Sequence, residues 1–218
     1  EFRSNIIDSN GYLIAKTIIT NNVGINPNLA IDKKKLLINL KLIFPEKNFV
    51  DIKEKIKKKK YFRIQGGLDQ EKIEKLRRLG DKSIEFEEQV KRAYPQKNLF
   101  SHIVGQIDDN NNGVSGIEKF FDYELKKEND PLKLTVDSEI QFLIREELKK
   151  AEDIFNNIGS SSILMDVNTG NIIAMVSLPD FDLNKREEIK DVNYINRATK
   201  GVYELGSVFK TFTFAAGL

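Results

Sequence analysis

The spacing of apolar and polar residues changes along the chain, and it predicts strands in some segments and helices in others. The run from Ile6 to Ala15 predicts a strand, a turn and a strand, because Asn10-Gly11 between apolar residues favours a tight hairpin. Asn168-Thr169-Gly170 predicts a second hairpin in the same way. The remaining strands are predicted over 61–64, 84–93, 132–136, 161–166 and 171–176. Helical spacing predicts helices over 28–42, 49–61, 69–79, 116–125 and 138–155.

Polar residues mark where several of these elements begin and end. Asp69 is placed to cap the third predicted helix and Gly80 to stop it, while Asp137 or Ser138 is placed to cap the last one. The segment 108–113 is rich in Asp and Asn and predicts a turn. A calcium loop is the alternative there, but the closing bidentate Glu and the flanking helices of an EF-hand are missing.

The order of the predicted elements indicates an α+β protein made of two parts. Residues 126–131 are polar and end in proline, which makes them a reasonable domain boundary. After them, the order strand, helix, strand, strand predicts helices on one side of a mainly antiparallel sheet. We therefore expect one domain over 1–130 and a second over 131–218, with a polar loop over 179–202 and a helix that opens at Gly206-Ser207.

Composition removes several classes of function. The 218 residues carry 35 basic and 33 acidic side chains, a net charge of +2, so a general nucleic-acid binder is not expected. The absence of cysteine excludes thiol nucleophiles and thiolate metal sites, and a single histidine excludes a His-rich metal centre. The run Lys57 to Lys60 has two interpretations: a patch that binds an anionic surface, or the solvated end of a helix. Because the chain is rich in Lys throughout, the second interpretation is favoured.

The two ends of the sequence bear on its compartment. No stretch approaches the roughly 20 apolar residues of a membrane helix, and no signal peptide opens the chain. The sequence is therefore either cytoplasmic or a piece of a longer protein. The start at Glu1-Phe2 without Met, and an apolar stretch over 211–218 that resembles the middle of a helix, lead us to expect a piece.

Ser207 and Lys210 are the strongest candidates for chemistry. Positions three apart share a helix face, so the Lys amine can stand over the Ser hydroxyl. The hydroxyl needs a base within hydrogen-bond reach, and burial and the positive end of a helix both favour the neutral amine. Gly206 allows a tight entry, and the amides of the first turn can point at an oxyanion. Spacing alone nevertheless favours an ordinary helix start, because about one Ser-x-x-Lys arises by chance in such a chain.

The residues around this pair change that interpretation. Tyr203 to Thr213 resembles the active-site motif of penicillin-binding proteins, whose Ser-x-x-Lys is joined by Ser-x-Asn and Lys-Thr-Gly motifs. Other segments resemble the ordered motifs of class B penicillin-binding proteins: Arg3 with 7–11 and Ala15, 92–95 with 101–105, 113–118 with Phe121, Asp122 and Leu125, 134–137 with Gln141, several positions over 165–184, and 196–198. The short interval between the first two motifs, and Tyr94-Pro95, make the resemblance closest to the septal branch.

This resemblance implies a pedestal, or dimerisation-type, domain followed by the start of a transpeptidase domain. It implies a peptidoglycan D,D-transpeptidase in which Ser207 is the acyl-accepting nucleophile and Lys210 its base, without a metal or organic cofactor. Stem peptides would be the substrate, and β-lactams would acylate the same Ser. The implied partners are division-complex membrane proteins and a glycosyltransferase rather than nucleic acid, at the periplasmic face of the inner membrane through an anchor absent from this sequence.

Two departures from the family pattern matter. Leu205 stands where Pro is usual, which leaves the loop entry less rigid. The sequence also ends eight residues after Lys210, without Ser-x-Asn or Lys-Thr-Gly, so we expect this chain alone to be inactive and the part after residue 132 to be less ordered than the part before it. The alternatives are an elongation-type transpeptidase, a non-catalytic division scaffold, a penicillin-sensing receptor and a serine β-lactamase. The pedestal-like motifs argue against the receptor and the β-lactamase.

The resemblance also suggests structural roles for residues outside the pair. A buried network between Arg and carboxylate groups would explain a set of residues that resemble interdomain architecture: Arg3, Asp8, Gly11, Arg92, Gly113, Gly116 and Glu118. Catalysis by Glu118 is not expected, since this acyl transfer needs no carboxylate there. His102 lies between apolar residues and is expected to be structural. Asn196 and Arg197 are expected to support the floor of the active site.

Overall fold

The computed structural model describes residues 2–185 and 191–218, and it divides them into two compact units. One unit is Thr17–Arg92, and the other combines Glu1–Lys16 with Ala93–Leu218. The elements follow in the order β1 (Ile6–Ile7), β2 (Leu13–Ile25), α1 (Lys33–Ile43), α2 (Phe49–Lys57), β3 (Phe62–Leu68), α3 (Gln70–Arg78), β4 (Ile84–Ala93), α4 (Ser101–Val104), α5 (Gly116–Phe120), α6 (Asp122–Lys127), β5 (Leu132–Lys133), α7 (Ser138–Phe155), β6 (Ser160–Met165), β7 (Ile172–Leu178), α8 (Arg197–Lys200) and α9 (Lys210–Ala216). Short 3₁₀ turns lie at Asp191–Tyr194 and Gly206–Phe209.

The unit Thr17–Arg92 packs three helices against antiparallel strands. The last part of β2 pairs with β3, from Asn21 opposite Leu68 to Ile25 opposite Phe62, and β4 also pairs with β2. Helices α1, α2 and α3 each begin at a side-chain cap, supplied by Asp32, Asn48 and Asp69. Each helix contributes apolar residues three or four apart to one core: Leu36, Leu40, Ile52, Ile56, Ile73 and Leu76, packed with Val23 and Ile25 of β2.

The second unit contains its own core, and it includes both Ser207 and Lys210. Strand β1 pairs antiparallel with the start of β2 and parallel with β5, with Ile6 opposite both Ala15 and Leu132. Strands β6 and β7 form a separate antiparallel hairpin. The long helix α7 is capped by Asp137, whose carboxylate accepts the amides of Glu139 and Ile140. The core is formed by Ile6, Ile14, Ala15, Tyr94, Phe100, Val104, Leu125, Val136 and Leu183.

The α+β class and the mainly antiparallel pairing confirm the predicted fold class. Several element bounds differ from prediction. The helix predicted over 116–125 is split, because Phe121 leaves the helical region at φ −102° and ψ 31°. The strand predicted over 132–136 is only two residues long, and β2 continues well past Ala15. The loop predicted over 179–202 contains α8, and its residues 186–190 lie outside the described part.

Among the helices of the described residues, none combines the length and the apolar character that crossing a bilayer requires.

Candidate active site

Ser207 and Lys210 lie where a 3₁₀ turn becomes an α-helix. Ser207 is the second residue of the turn Gly206–Phe209, and Lys210 is the first residue of α9. A 3₁₀ turn has three residues per turn, so side chains three apart are almost eclipsed, and Ser207 and Lys210 leave the backbone on the same side. Gly206 precedes them at φ 54°, a left-handed conformation that glycine adopts without the steric cost other residues carry. The predicted helix start is therefore a tight turn that leads into a helix.

The two side chains share a face but are not bonded to one another. Both residues are exposed, and neither the Ser207 hydroxyl nor the Lys210 ammonium makes a hydrogen bond or ion pair within the described residues. Catalytic hydrogen bonds are often formed only once substrate is bound, so this geometry is compatible with a nucleophile and base that come together on binding. The structure provides the spacing for such a pair, and the pair's chemistry remains a prediction.

The segment before Ser207 is fastened to strand β7. The Ser177 hydroxyl donates to the Ile195 carbonyl at 3.2 Å and accepts the Arg197 amide at 2.9 Å. Asn196 caps α8 by accepting the Ala198 amide at 3.0 Å. These contacts anchor the chain that leads to Ser207, and a role of Asn196 and Arg197 in the floor of the site stays a prediction.

Tyr203 continues this connection toward Ser207. Its hydroxyl donates to the Arg197 carbonyl at 3.2 Å. Gly201 lies directly against the Tyr203 ring and the same carbonyl, and a Cβ at Gly201 would overlap both. A glycine is therefore required for this close approach.

Helix α7 fixes strand β7 from the other direction through one buried glutamine. The Gln141 amide nitrogen donates to the carbonyls of Met175 at 2.7 Å and Leu99 at 3.0 Å, and its oxygen accepts the Met175 amide at 2.8 Å. Three hydrogen bonds from one buried side chain satisfy the polar groups that burial would otherwise leave without partners. These bonds hold helix α7, strand β7 and the chain at Leu99 in fixed positions relative to one another.

A buried ion-pair network surrounds Arg3 and includes Glu118, and these are two of the charged residues in the set that the resemblance suggests. Of the others, Asp8 bonds to Ser138 and Arg92 to the Thr17 hydroxyl. The Arg3 guanidinium lies 2.8 Å from the Glu118 carboxylate and 2.6 Å from that of Asp122, and it donates to the Asn111 carbonyl at 3.0 Å. Burial raises the pKa of the Asp122 carboxyl, but hydrogen bonds from Lys126 and Arg3 outweigh it and lower that pKa to about 2. The network lies inside one compact unit, and it joins the start of the chain to α5 and α6.

Asp8 plays a comparable part at the start of α7. One carboxylate oxygen accepts the amides of Asn10 and Tyr12, both at 2.8 Å, and the other accepts the Ser138 hydroxyl at 2.6 Å and the Ser138 amide at 3.1 Å. Burial raises the pKa of Asp8, and these hydrogen bonds lower it below its usual range. Asp8 thereby shapes the first hairpin and attaches it to the helix.

Glycines allow the segments around Glu118 to approach closely. A Cβ at Gly113 would overlap the Glu118 carbonyl, and one at Gly116 would overlap the Val104 carbonyl. Gly116 also has φ 60°, in the left-handed region. Gly113 and Gly116, two of the three glycines in the predicted structural set, are therefore explained by contacts between backbones, whereas a Cβ at Gly11 would meet no atom within 4 Å.

His102 is held as a structural side chain, in agreement with the sequence prediction. Its Nε2 lies 2.7 Å from the Asn193 carbonyl oxygen, and its ring meets that of Phe181 edge-on at 5.5 Å. Burial lowers the pKa of the imidazole, which favours the neutral ring. Within the described residues no group of three His, Asp or Glu side chains is arranged to hold a metal ion.

Two further contacts that organise this unit have no local signal in the sequence. Arg145 on α7 forms an ion pair with Asp180 at 2.5 Å, and both side chains are largely buried. Asn184 accepts the Tyr94 amide at 3.0 Å and donates to the Tyr94 carbonyl at 2.9 Å. Their partners are 35 and 90 residues away in sequence, so no local spacing indicates them.

One groove of about 330 Å³ lies in this unit, beside the start of α7. It is lined by Tyr12, Gln96, Leu99, Ser138, Glu139 and Phe142. Neither Ser207 nor Lys210 contributes to it, so it is separate from the candidate nucleophile.

Comparison with known protein families decides what this architecture is. Residues 2–154 match the penicillin-binding protein dimerisation domain, and residues 161–218 match the penicillin-binding protein transpeptidase domain. The chain belongs to the penicillin-binding protein family. In this penicillin-binding protein chain, the matched transpeptidase segment contains the hairpin β6–β7, α8 and both Ser207 and Lys210.

Individual relatives agree with the family. The chain is 31% identical to the probable peptidoglycan D,D-transpeptidase FtsI of Caulobacter vibrioides, over 99% of this chain and 37% of the relative. It is 27% identical to the stage V sporulation protein D of Bacillus subtilis, over 99% of this chain and 38% of that protein. The chain thus spans little more than a third of the length of these curated relatives.

A solved structure supports the fold of this penicillin-binding protein chain. In the complex between penicillin-binding protein PBP2 and MreC from Helicobacter pylori, the matching chain superimposes with a TM-score of 0.66 at 21% identity. The match covers 96% of this chain and 50% of that one. At this identity the likeness concerns the fold.

Proposed function

We propose that this chain is part of a peptidoglycan D,D-transpeptidase of septal cell-wall synthesis, with Ser207 as its nucleophile and Lys210 as its base. The observation that carries the proposal is the placement of the pair. Ser207 and Lys210 lie three residues apart on one face of the turn that opens α9, after a left-handed Gly206, inside a segment matching the transpeptidase domain. The name of the Caulobacter vibrioides relative, a probable peptidoglycan D,D-transpeptidase, supports the reaction.

The proposed reaction proceeds through a covalent acyl-enzyme. The Ser207 oxygen attacks the carbonyl carbon of the penultimate D-Ala of a stem peptide, and the hydroxyl proton passes to the Lys210 amine. The tetrahedral intermediate collapses by breaking the amide bond, and the terminal D-Ala leaves as an amine that takes up the proton. A neighbouring stem-peptide amine then attacks the ester, forms the cross-link and releases the Ser207 hydroxyl.

The turn itself offers stabilisation for the negative oxygen of the intermediate. The amides at the start of a helical segment lack acceptors within it, and they can donate to an oxyanion. A β-lactam presents an equivalent carbonyl and would acylate the same hydroxyl. None of these steps uses a metal or an organic cofactor.

The wider setting is proposed on the same basis. Residues 1–130 would act as the pedestal domain and 131–218 as the first part of the transpeptidase domain. The protein would work at the periplasmic face of the inner membrane, held by an anchor, with division-complex membrane proteins and a glycosyltransferase as partners. The Helicobacter pylori complex pairs a penicillin-binding protein with MreC, which supports the general idea of a protein partner.

Two alternatives follow from specific observations. The fold match to PBP2 in complex with MreC keeps an elongation-type transpeptidase open. Ser207 and Lys210 are exposed and make no side-chain bond within the described residues, which is also compatible with a non-catalytic division scaffold. The septal transpeptidase is preferred because the similarity to FtsI extends over 99% of the chain.

The test is covalent labelling by a fluorescent penicillin, followed by denaturing electrophoresis. We expect no stable label on the 218-residue chain, and a strong label once the chain is extended through Ser-x-Asn and Lys-Thr-Gly segments. In the extended chain, Ser207→Ala should abolish the label, and Lys210→Gln should slow labelling by about 10²–10⁴-fold, the range of general-base catalysis.

Matched controls separate chemistry from folding. Ser177→Ala removes a hydroxyl from the supporting strand, and we expect it to retain labelling at the Ser207 position once the variant is folded. An extended, folded chain that is not labelled would reject the transpeptidase and favour the scaffold. Label that persists in Ser207→Ala would reject the assigned nucleophile.

A further inference from the structure

The two compact units carry net charges of opposite sign. Thr17–Arg92 contains 19 basic and 11 acidic side chains, a net charge of +8. The remaining residues contain 16 basic and 22 acidic side chains, a net charge of −6. The nearly neutral chain therefore has one strongly basic part, and the position of its excess lysines can indicate what that part binds.

Two lysine runs lie at the start of α1 and at the end of α2 in this basic unit. Lys33–Lys35 form the start of α1, and Lys57–Lys60 form the end of α2 and the residues that follow it. The Asn28 side-chain amide donates to the Lys59 carbonyl at 2.9 Å, and this bond attaches the segment before α1 to the end of α2. We call these seven lysines the lysine patch.

Among the described residues, the lysines of the patch have no ion-pair partners. None of its seven ammonium groups forms an ion pair with any carboxylate that the structure describes, whereas Lys55 and Lys75 of the same unit pair with Asp51 and Glu71 at 2.8 and 2.6 Å. Asp32 is adjacent in sequence, but its side chain is occupied in capping α1. The patch is therefore a concentration of lysines that form no ion pair with a described carboxylate, although the nearby Glu87 carboxylate accepts from the Tyr61 hydroxyl at 2.6 Å.

Apolar side chains next to the lysine patch in sequence are also exposed. Ile31, two residues before Lys33, is 91% exposed, and Leu29 is 49% exposed. Tyr61, directly after Lys60, is 43% exposed. These side chains precede the first lysine run and follow the second in sequence, so this part of the unit exposes apolar surface together with its lysines.

We propose that the lysine patch and Ile31 form a peripheral docking surface for a bilayer that contains anionic phospholipid. A bilayer interface receives both kinds of side chain, because headgroup phosphates attract lysine and the acyl boundary covers isoleucine. Lysine is a compact point charge suited to a diffuse layer of phosphates, and the patch contains none of the Arg forks that bind nucleic acid phosphates in pairs. An anionic polymer in solution would attract the lysines but would not cover Ile31.

The test is sedimentation of the 218-residue chain with vesicles. Vesicles of equal parts phosphatidylglycerol and phosphatidylcholine should bind the chain, and vesicles of phosphatidylcholine alone should not. Raising the salt concentration should weaken binding because it screens the lysine charges. The patch variant Lys34→Gln, Lys58→Gln, Lys60→Gln should weaken binding by about 10-fold or more, since each basic residue near an anionic surface contributes a several-fold factor.

A control variant holds the total charge change constant. Lys41→Gln, Lys47→Gln, Lys91→Gln removes three charges from the same unit away from the patch, and it should weaken binding by less than about three-fold. Equal weakening by the two triple variants would mean that only net charge matters, and it would overturn the proposal. Failure of the unaltered chain to bind anionic vesicles at low salt would do the same.

Ile31→Ser tests whether the partner is a bilayer or a soluble polyanion. Ile31 is almost fully exposed, so the substitution should leave the fold intact while weakening vesicle binding several-fold and leaving its salt dependence unchanged. Dextran sulfate is the comparison ligand, and its binding should not respond to Ile31→Ser. Unchanged vesicle binding by this variant would overturn the membrane assignment and leave a polyanion site.

Discussion

Arg3 and Glu118 lie 115 residues apart in sequence and form an ion pair of 2.8 Å in which both side chains are fully buried. The Glu118 backbone carbonyl also accepts from the same guanidinium at 2.8 Å. A guanidinium in this position satisfies two acceptors of one residue at once, which fixes the start of the chain against α5. The pair contributes to the framework of the unit that contains Ser207.

Removing the buried cation should be costly. We expect Arg3→Met to lower the free energy of unfolding by about 3–5 kcal/mol, because it leaves a buried carboxylate without its partner. The measurement is urea unfolding followed by circular dichroism. Arg63→Met is the control, since it removes an ion pair with Glu87 whose side chains are 56% and 44% exposed, and it should cost less than about 1 kcal/mol. Equal losses in the two variants would contradict the importance of burial.

The Asp122 carboxyl predicts a pH dependence of stability. Its pKa is about 2 in the folded chain against a usual value of 3.8, so the folded state holds the proton less tightly than the unfolded state. The resulting stabilisation is fully present above about pH 4 and is lost as pH falls from there toward 2. Asp122→Asn should therefore be less stable than the unaltered chain at pH 6, and the difference should shrink toward pH 2. A difference that is constant with pH would contradict this assignment.

Local signals predicted those elements whose ends are determined by neighbouring residues. Asn10-Gly11 predicted the first hairpin, Asp69 and Gly80 predicted the bounds of α3, and the strand predicted over 84–93 has the observed bounds. Strand β2 was missed beyond Ala15 because the segment 17–22 is half polar and shows no strict alternation, and pairing with β3 and β4 overrides that weak local preference.

The candidate active site was harder to predict from local signals than the helices and strands. The spacing of Ser207 and Lys210 indicated a shared face, but only the resemblance of the surrounding residues distinguished this pair from a chance match. The contact between Asp8 and Ser138 spans 130 residues, and nothing local to either residue indicates it. Such contacts depend on the complete fold, so a single sequence does not contain a periodic signal for them.

Gly113 should tolerate a side chain far less well than Gly170. A Cβ at Gly113 would overlap the backbone of Glu118 and Lys119, which cannot move without disturbing α5, so we expect Gly113→Ala to cost about 3 kcal/mol. Gly170 has φ 74° and no atom within 4 Å of its would-be Cβ, so Gly170→Ala should cost only the left-handed conformation, about 1–2 kcal/mol. Thermal unfolding of both variants measures the difference, and a larger loss for Gly170→Ala would contradict it.

Helix α9 should be among the least protected helices against amide hydrogen exchange. It contains no buried residue, and Phe209, Phe212 and Phe214 are 58%, 62% and 77% exposed, so opening it breaks few apolar contacts. Helix α7 is held by buried Gln141 and Arg145 and should exchange orders of magnitude more slowly. Hydrogen exchange followed by mass spectrometry compares the two helices in one sample. The prediction that the whole part after residue 132 is less ordered would require α7 to exchange quickly as well. Slow exchange in both helices would show that α9 is stabilised by contacts that its exposure does not reveal.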